Sequence, residues 1–231
     1  MKNWIREKIY PMSEEKIKIL VVDDHPLIRE GLSKLINREQ DMMVIGEAGT
    51  AQEALQKIQE QKPDFIIVDI SLTGISGLDL TKNILLLHPD MPILVISLYE
   101  ESLYLDRVLK AGAKGYLMKQ EATEKFVPAI RKILKGEVYV SDKAKEGLVN
   151  QLANSSATSS LTSPSETLSD RELEVLQLIA QAHATRQIAE MLHVSVKTVE
   201  SHYANIKTKL GLKNSHELIQ FAVKWDLMQK K

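Results

Sequence analysis

The chain has 231 residues, of which 44% are hydrophobic and 26% are charged, and its formal net charge is −1. These proportions are typical of an ordinary globular protein, and the length allows one large domain or two modest ones. The absence of cysteine excludes disulfides and thiolate metal sites, and no apolar stretch of the sequence approaches the roughly 18 residues that cross a bilayer.

The first segment, residues 1–16, is polar and mixed in charge, and it lacks the apolar core of a signal peptide. We interpret it as an N-terminal extension of a cytoplasmic protein that has no membrane partner. The sequence leaves open whether Met1 or Met12 is the true start.

From residue 17 onward, short runs rich in Val, Ile and Leu alternate with amphipathic helical patterns. Such runs are typical of buried parallel strands. Five βα units in about 120 residues predict an α/β fold, a doubly wound five-stranded parallel sheet with helices on both faces. Pro128 lies inside the last helical pattern and predicts a late start or a bend there. The domain is assigned to residues 17–140, with strands predicted at 17–22, 42–47, 65–68, 93–96 and 114–118, and helices at 26–37, 51–61, 80–87, 101–111 and 121–135.

A linker is predicted at residues 141–166. Residues 143–152 favour a short helix, whereas 153–166 are mostly small and polar and cannot bury enough surface to stay ordered. Residues 167–231 then carry only helical patterns, which predicts a small all-α domain. Its net charge is +2, from nine Lys or Arg and seven Asp or Glu, whereas the preceding residues carry 21 and 24. A mildly basic end after an acidic front fits a regulatory domain joined to a nucleic-acid-binding domain.

Side-chain caps define the helices of this second domain. Ser169, followed three residues later by Glu172, predicts a capping box at the start of the first helix. Thr185 is the predicted cap of a short second helix, and Ser195 that of a third helix over 196–210. Gly211 is expected to end that helix, and a final helix is predicted at 215–228.

Polar residues follow four of the predicted strands. Asp23 and Asp24 come after the first, Asp69 after the third, Ser97 after the fourth and Lys119 after the fifth. Because the carboxyl ends of parallel strands meet at one edge of the sheet, we expect these side chains to share one site. Such a site can hold a divalent cation beside a carboxylate that takes a phosphoryl group.

These residues, together with the run from Ala111 to Tyr116, resemble the receiver domains of two-component response regulators over about residues 17–134. The resemblance implies that a sensor histidine kinase phosphorylates Asp69. It also implies that Mg²⁺ is held by the carboxylates of Asp23, Asp24 and Asp69 and the backbone carbonyl of Ser71.

The same resemblance implies roles for the residues around the phosphoryl group. Lys119 and Ser97 contact its oxygens, and Tyr116 changes rotamer as the loop after Ser97 moves inward. Two positions depart from the family pattern, because Thr73 and Gln120 stand where proline is common. We expect Thr73 to affect only the shape of its loop.

The second domain resembles the LuxR-type helix-turn-helix of the NarL/FixJ subfamily, through residues 168–176, 188–192, 194–202 and 206–211. This resemblance implies a regulator that binds double-stranded promoter DNA as a homodimer, through the receiver, the last helix or both, and that contacts RNA polymerase. The last helix offers Leu218, Ile219, Ala222 and Trp225 for the dimer, although some of these must cover the helical core.

The third helix has two distinct faces. Val199, Tyr203, Ile206 and Leu210 share the face that we expect in the core. The opposite face carries mostly short polar side chains and can enter the major groove closely. His202, at the edge of the core face, is interpreted as a hydrogen-bonding residue. The predicted DNA contacts are Lys197, Thr198, Glu200, Ser201, Ala204, Asn205, Thr208 and Lys209.

Relatives contact base edges from the positions of Glu200, Ser201 and Ala204, whereas Lys197, Thr198 and Lys209 are expected to hold phosphates. An equally open alternative is that Glu200 only tunes repulsion from DNA. Because the linker looks flexible, we expect the receiver to inhibit DNA binding by covering the third helix or blocking the last one.

Two other functional classes compete with this reading. An aspartyl phosphotransferase or phosphatase would also use an aspartate with Mg²⁺, but such enzymes commonly carry an acid where this chain has Ser71. A receiver that works without phosphorylation would be expected to lack an acid or Lys119, and this chain retains both. We therefore predict a regulator and not a turnover enzyme.

Overall fold

The computed structural model describes residues 15–142, 144–146 and 164–229. Most of the predicted linker lies outside the described residues; of the helix expected at 143–152, only residues 144–146 are described, and they are helical. In the first domain the strands and helices alternate as predicted. They are β1 (Ile17–Val22), α1 (Pro26–Asn37), β2 (Met42–Ala48), α2 (Ala51–Gln61), β3 (Phe65–Asp69), α3 (Gly77–Leu87), β4 (Ile93–Ser97), α4 (Glu101–Lys110), β5 (Gly115–Met118) and α5 (Ala122–Leu134).

The five strands form one parallel sheet in the order β2-β1-β3-β4-β5. One face packs against α1 and α5, through residues such as Ile36 and Phe126. The other packs against α2, α3 and α4, through residues such as Ile58 and Ile84. Because both faces are covered, the central strands β3 and β4 are buried along their whole length, and the doubly wound prediction is confirmed. Pro128 lies inside α5 and does not delay its start.

A close backbone approach seats α3 against the end of β3. The amide of Gly77 donates to the carbonyl of Ile70 at 2.8 Å. A Cβ atom at Gly77 would lie 1.8 Å from the carbonyl oxygen of Asp69, so only glycine fits here. The chain thus turns sharply after Asp69 and returns along the sheet.

The second domain contains only helices in its described part. The one-turn helix α6 falls at the end of the predicted linker, so residues 164–166 are helical in place of irregular. The helices are α6 (Pro164–Thr167), α7 (Asp170–Ala180), α8 (Thr185–Met191), α9 (Val196–Leu210) and α10 (Ser215–Gln229).

The helix ends confirm most of the predicted caps. Ser169 and Glu172 form the capping box of α7, and Ser195 accepts the amide of Thr198 at the start of α9. Gly211 ends α9 with a φ of 67°. The prediction for Thr185 was wrong, because it is the first residue of α8. The cap position there is Ala184, whose own amide donates to Gln187 Oε1 at 2.8 Å.

The turn between α7 and α8 contains a residue with a left-handed backbone. Ala182 adopts a φ of 62°, in the left-handed region that residues with a Cβ atom enter at a cost. The turn also brings the amide of His183 to the carbonyl of Leu178 at 3.1 Å. Ala182 therefore holds a left-handed conformation at a position where glycine would carry no steric cost.

The two domains pack against each other through α7. Tyr104 on α4 donates to Gln177 Oε1 at 3.3 Å, and Arg107 donates to Asp170 and, at 2.5 Å, to the carbonyl of Leu168. Tyr104 and Gln177 are both buried. The helix is therefore covered on one side by its own domain and on the other by the receiver.

Candidate functional site

Three side chains from the carboxyl ends of β1, β3 and β5 meet as the sequence predicts. Lys119 Nζ lies 2.7 Å from Asp23 Oδ2 and 2.8 Å from Asp69 Oδ2. Both carboxylates and the Lys119 side chain are buried, with 4% or less of each side chain exposed. The ammonium therefore ties the first strand to the third and fifth strands at a single point.

Burial and charge act in opposite directions on these groups. Burial raises the pKa of Asp69 to about 6, and the Lys119 ammonium opposes that rise. Burial alone would lower the pKa of Lys119, but Asp69 and Asp23 together raise it above its ordinary value. Lys119 is thus held as a cation, and a further positive charge in this pocket would favour the ionised form of Asp69.

The donor set fits a hard divalent cation. Asp69 Oδ1 is buried and accepts no hydrogen bond from the residues that the structure describes. Ligand atoms of Asp23, Asp24, His25 and Asp69 lie within 4.8 Å of one another. Carboxylate oxygens are the ligands that Mg²⁺ prefers, and the clustered carboxylates of Asp23, Asp24 and Asp69 offer them here.

Two neighbours of the acidic pair were missed or undervalued in the sequence. His25 Nδ1 lies 2.7 Å from Asp24 Oδ1, and the only signal for it was its place directly after the pair. Thr73 Oγ1 donates to Asp24 Oδ2 at 2.9 Å. The expectation that Thr73 shapes only its loop is therefore too narrow, because it also orients an expected metal ligand.

A chain of contacts leads from Ser97 towards α4. Ser97 is fully buried, and its Oγ accepts the amide of Tyr99 at 3.1 Å. The Tyr116 hydroxyl donates to the carbonyl of Tyr99 at 2.7 Å, so the buried Tyr116 ring already lies against this loop. The rings of Tyr99 and Tyr104 stack with their centroids 5.4 Å apart. Movement at Ser97 would reach the residues of α4 that contact the second domain.

An acid from the second domain also approaches this edge of the sheet. Glu174 on α7 is fully buried and accepts the Ser71 hydroxyl at 3.1 Å. Arg171 pairs with its other oxygen at 2.6 Å. Burial raises the pKa of Glu174 to about 7, Arg171 opposes this rise, and the charge of Asp69 adds to it. Nothing in the sequence indicated this contact.

The face of α9 that we expect to meet DNA is open to solvent. Lys209 also pairs with Glu172 at 2.6 Å, so a phosphate would compete with that acid. The core face is confirmed, with Val199 and Ile206 fully buried. His202 is half-buried, and its Nδ1 has no hydrogen-bond partner among the described residues. Of the predicted DNA contacts, Thr198 is half-buried and the exposed ones are Lys197, Glu200, Ser201, Ala204, Asn205, Thr208 and Lys209.

The last helix divides its apolar residues between two faces. Leu218, Ala222 and Trp225 are buried in the domain core, so they are not available to a second copy. Ile219 is half exposed and shares its face with two other exposed apolar residues, Val223 and Leu227. The receiver therefore covers neither the DNA face of α9 nor this stripe of α10, and the expectation that it would cover one of them is wrong for this structure.

Each of the two domains matches a known protein family. Residues 19–131 match the response regulator receiver domain, and residues 166–222 match the luxR family of bacterial regulatory proteins. The oxygen regulatory protein NreC of Staphylococcus epidermidis is 43% identical over 217 residues, which cover 92% of this chain and all of that protein. The chain belongs to the LuxR-family response regulators. It is a DNA-binding regulator of transcription and not a turnover enzyme, as predicted.

Solved structures agree with this assignment. A LuxR-family two-component response regulator from Aurantimonas sp. SI85-9A1 is 31% identical, with a TM-score of 0.57 over 60% of this chain and 99% of that one. A structure of two RcsB dimers bound to two parallel DNAs is 25% identical, with a TM-score of 0.54 over 90% of this chain and 98% of that one. Within the described residues, no helix is both long and apolar enough to cross a membrane.

Proposed function

We propose that this response regulator accepts a phosphoryl group on Asp69 from a sensor histidine kinase and then binds promoter DNA as a dimer in the cytoplasm. The observation that carries the proposal is the geometry at the sheet edge. Asp69 is buried, one of its oxygens is fixed 2.8 Å from Lys119 Nζ, and the other accepts no hydrogen bond from the described residues. A nucleophilic carboxylate needs one oxygen held and one free.

The chemistry follows from these positions. The free Asp69 oxygen forms a bond to phosphorus, the bond between phosphorus and the kinase histidine nitrogen breaks, and the electron pair returns to that nitrogen. Mg²⁺, held by Asp23, Asp24, Asp69 and the Ser71 carbonyl, would offset repulsion between the anionic nucleophile and the anionic donor. Lys119 places its charge against one phosphoryl oxygen. Ser97 gives up the Tyr99 amide and donates to another.

The exposed face of α9 supports the proposal for DNA. Its short side chains allow close approach to base edges from Glu200, Ser201 and Ala204, and its lysines lie where phosphates would pass. A net charge of +2 in this domain limits the affinity of one copy, so two copies on neighbouring half-sites are needed. RcsB binds DNA as dimers. We assign the dimer contact to the apolar stripe of α10, to the receiver or to both, and we include RNA polymerase among the partners.

The relatives also bear on the signal. NreC is called an oxygen regulatory protein, and it matches this chain over its whole length. We propose that this chain also regulates transcription in response to oxygen. Because the chain has no cysteine, it offers no thiolate for an iron–sulfur cluster or redox switch, so an oxygen signal would reach it through the kinase.

The test is phosphorylation by acetyl phosphate in the presence of Mg²⁺, followed by intact-mass measurement. The wild-type chain should gain one phosphoryl group, and Asp69→Asn should gain none. Asp90→Asn, which makes the same change at an exposed aspartate before β4, serves as the control and should behave as wild type. Undiminished phosphate on Asp69→Asn, or an unchanged rate after chelation of Mg²⁺, would contradict the proposal.

A further inference from the structure

Glu174 lies at the contact between the two domains and is hydrogen-bonded to a residue close to the proposed phosphorylation site. It belongs to α7 of the DNA-binding domain, its side chain is fully buried, and it accepts the hydroxyl of Ser71 at 3.1 Å. Ser71 is two residues from Asp69, and its backbone carbonyl is an expected Mg²⁺ ligand. An acid of one domain is thus held beside the site at which the other domain would gain negative charge.

In the docked chain, one cation and one hydroxyl contact the Glu174 carboxylate. Arg171 on the same helix lies 2.6 Å from Glu174 Oε2 and also donates to the carbonyl of Leu192 at 2.6 Å. The receiver meets the carboxylate with a hydroxyl, Ser71 Oγ. Since the side chain is completely buried, it cannot turn into solvent while the domains remain docked.

We infer that Glu174 couples domain docking to phosphorylation, because the phosphoryl charge on Asp69 repels its carboxylate and releases α7 from the receiver. This inference rests on the proposed phosphorylation of Asp69. An acyl phosphate carries up to two negative charges where the carboxylate carried one. In a buried pocket that added charge acts over a longer distance than in water. Undocking separates Glu174 from the receiver and so removes the repulsion.

A second interfacial acid on the same helix provides a matched comparison. Asp170, four residues earlier, pairs with Arg107 of α4 and lies 3.9 Å from Lys82 Nζ of α3. Receiver cations thus neutralise Asp170, whereas a receiver hydroxyl meets Glu174. Glu174→Gln removes the charge and keeps an oxygen for Ser71. Asp170→Asn makes the same chemical change at an acid that contacts receiver cations.

The measurement is the distance between the domains in the full chain. Because the chain lacks cysteine, Gln59→Cys on α2 and Lys213→Cys before α10, both at exposed positions, can carry a donor and an acceptor dye without background labelling. Energy transfer is recorded at one fixed pH with Mg²⁺ throughout, with and without acetyl phosphate. Intact mass reports the phosphate on each sample.

We expect phosphorylation to shift the equilibrium between docked and open forms of the wild type by about tenfold or more, within the usual 5–150-fold range of coupled sites. Asp170→Asn should start from weaker docking but shift by the same factor. Glu174→Gln should start docked, take up phosphate normally and shift by less than about twofold.

Three outcomes would overturn the inference. The first is a Glu174→Gln protein that opens as the wild type does, which would assign the coupling to the Ser97–Tyr99–Tyr104 contacts. The second is a Glu174→Gln protein that is open before phosphorylation, because the carboxylate of the wild type would then serve only to hold the domains together. The third is a fully phosphorylated wild type that stays docked. A wild type that takes up no phosphate would overturn the proposed function, and this inference with it.

Discussion

Replacing Gly77 by alanine tests how α3 is seated against the phosphoacceptor strand. The added Cβ would lie 1.8 Å from the Asp69 carbonyl oxygen and 2.7 Å from its carbon, whereas ordinary contacts begin near 3.4 Å. Both atoms are backbone, so α3 or the end of β3 must shift by about 1.6 Å, the difference between the two oxygen distances. Overpacking against rigid backbone costs about 3 kcal/mol. In a chain of this size the melting temperature should fall by about 6–12 °C.

The control is Gly31→Ala in α1, where the new Cβ meets no heavy atom within 4 Å. Alanine is the better helix former, so this variant should gain about 0.5–1 kcal/mol. Thermal unfolding of the full chain, followed by circular dichroism, compares the two, and phosphate uptake from acetyl phosphate should slow only in Gly77→Ala. If Gly77→Ala melted within about 1 °C of the wild type and took up phosphate at the wild-type rate, the close approach of Gly77 to the Asp69 backbone would be wrong.

Three further predictions follow from the same structure. Ala182→Gly relieves a left-handed backbone and should raise the unfolding free energy in urea by about 1 kcal/mol; no gain would refute the strain. Lys197→Ala should weaken binding equally across DNA sequences and reduce the slope of log affinity against log salt by about one, whereas a change in sequence preference would give Lys197 a base contact. Arg131 lowers the pKa of Asp41, so this pair stabilises the fold above the ordinary pKa of 3.8 and loses that contribution as pH falls through the lowered value. Arg131→Gln should therefore melt below the wild type at pH 7, with a gap that closes in acid.

The α/β domain was predictable because its signals are local and repeated. Each strand is a short apolar run, and each helix start or end carries a proline, glycine or cap that acts within a few residues. The gathering of Asp23, Asp69 and Lys119 also followed from the sequence, since parallel strands bring their carboxyl ends to one edge. What the pattern could not give was the hydrogen bond from Thr73 to Asp24, which depends on the path of a loop.

The second domain shows where local signals mislead. Thr185 has the chemistry of a cap, but the chain places Ala184 at that position and satisfies the exposed amide with Gln187. The last helix has apolar residues on two faces, and only the packing shows that Leu218 faces the core while Ile219 does not. When a helix is apolar on both faces, its sequence does not show which face packs against its own domain.

The docking of α7 went unpredicted for a different reason. The first two acids of α7, Asp170 and Glu172, have a sufficient local explanation, since acids near a helix N-terminus interact favourably with its dipole and Glu172 completes a capping box. Glu174 follows in the same acidic segment and gave no separate signal, although it is completely buried and accepts the hydroxyl of Ser71 in the receiver. The receiver therefore contacts a helix that carries none of the predicted DNA contacts, and it leaves the predicted DNA face of α9 exposed. Under the proposed mechanism, a phosphoryl charge beside Ser71 changes how the second domain is held and leaves the predicted DNA face itself unchanged.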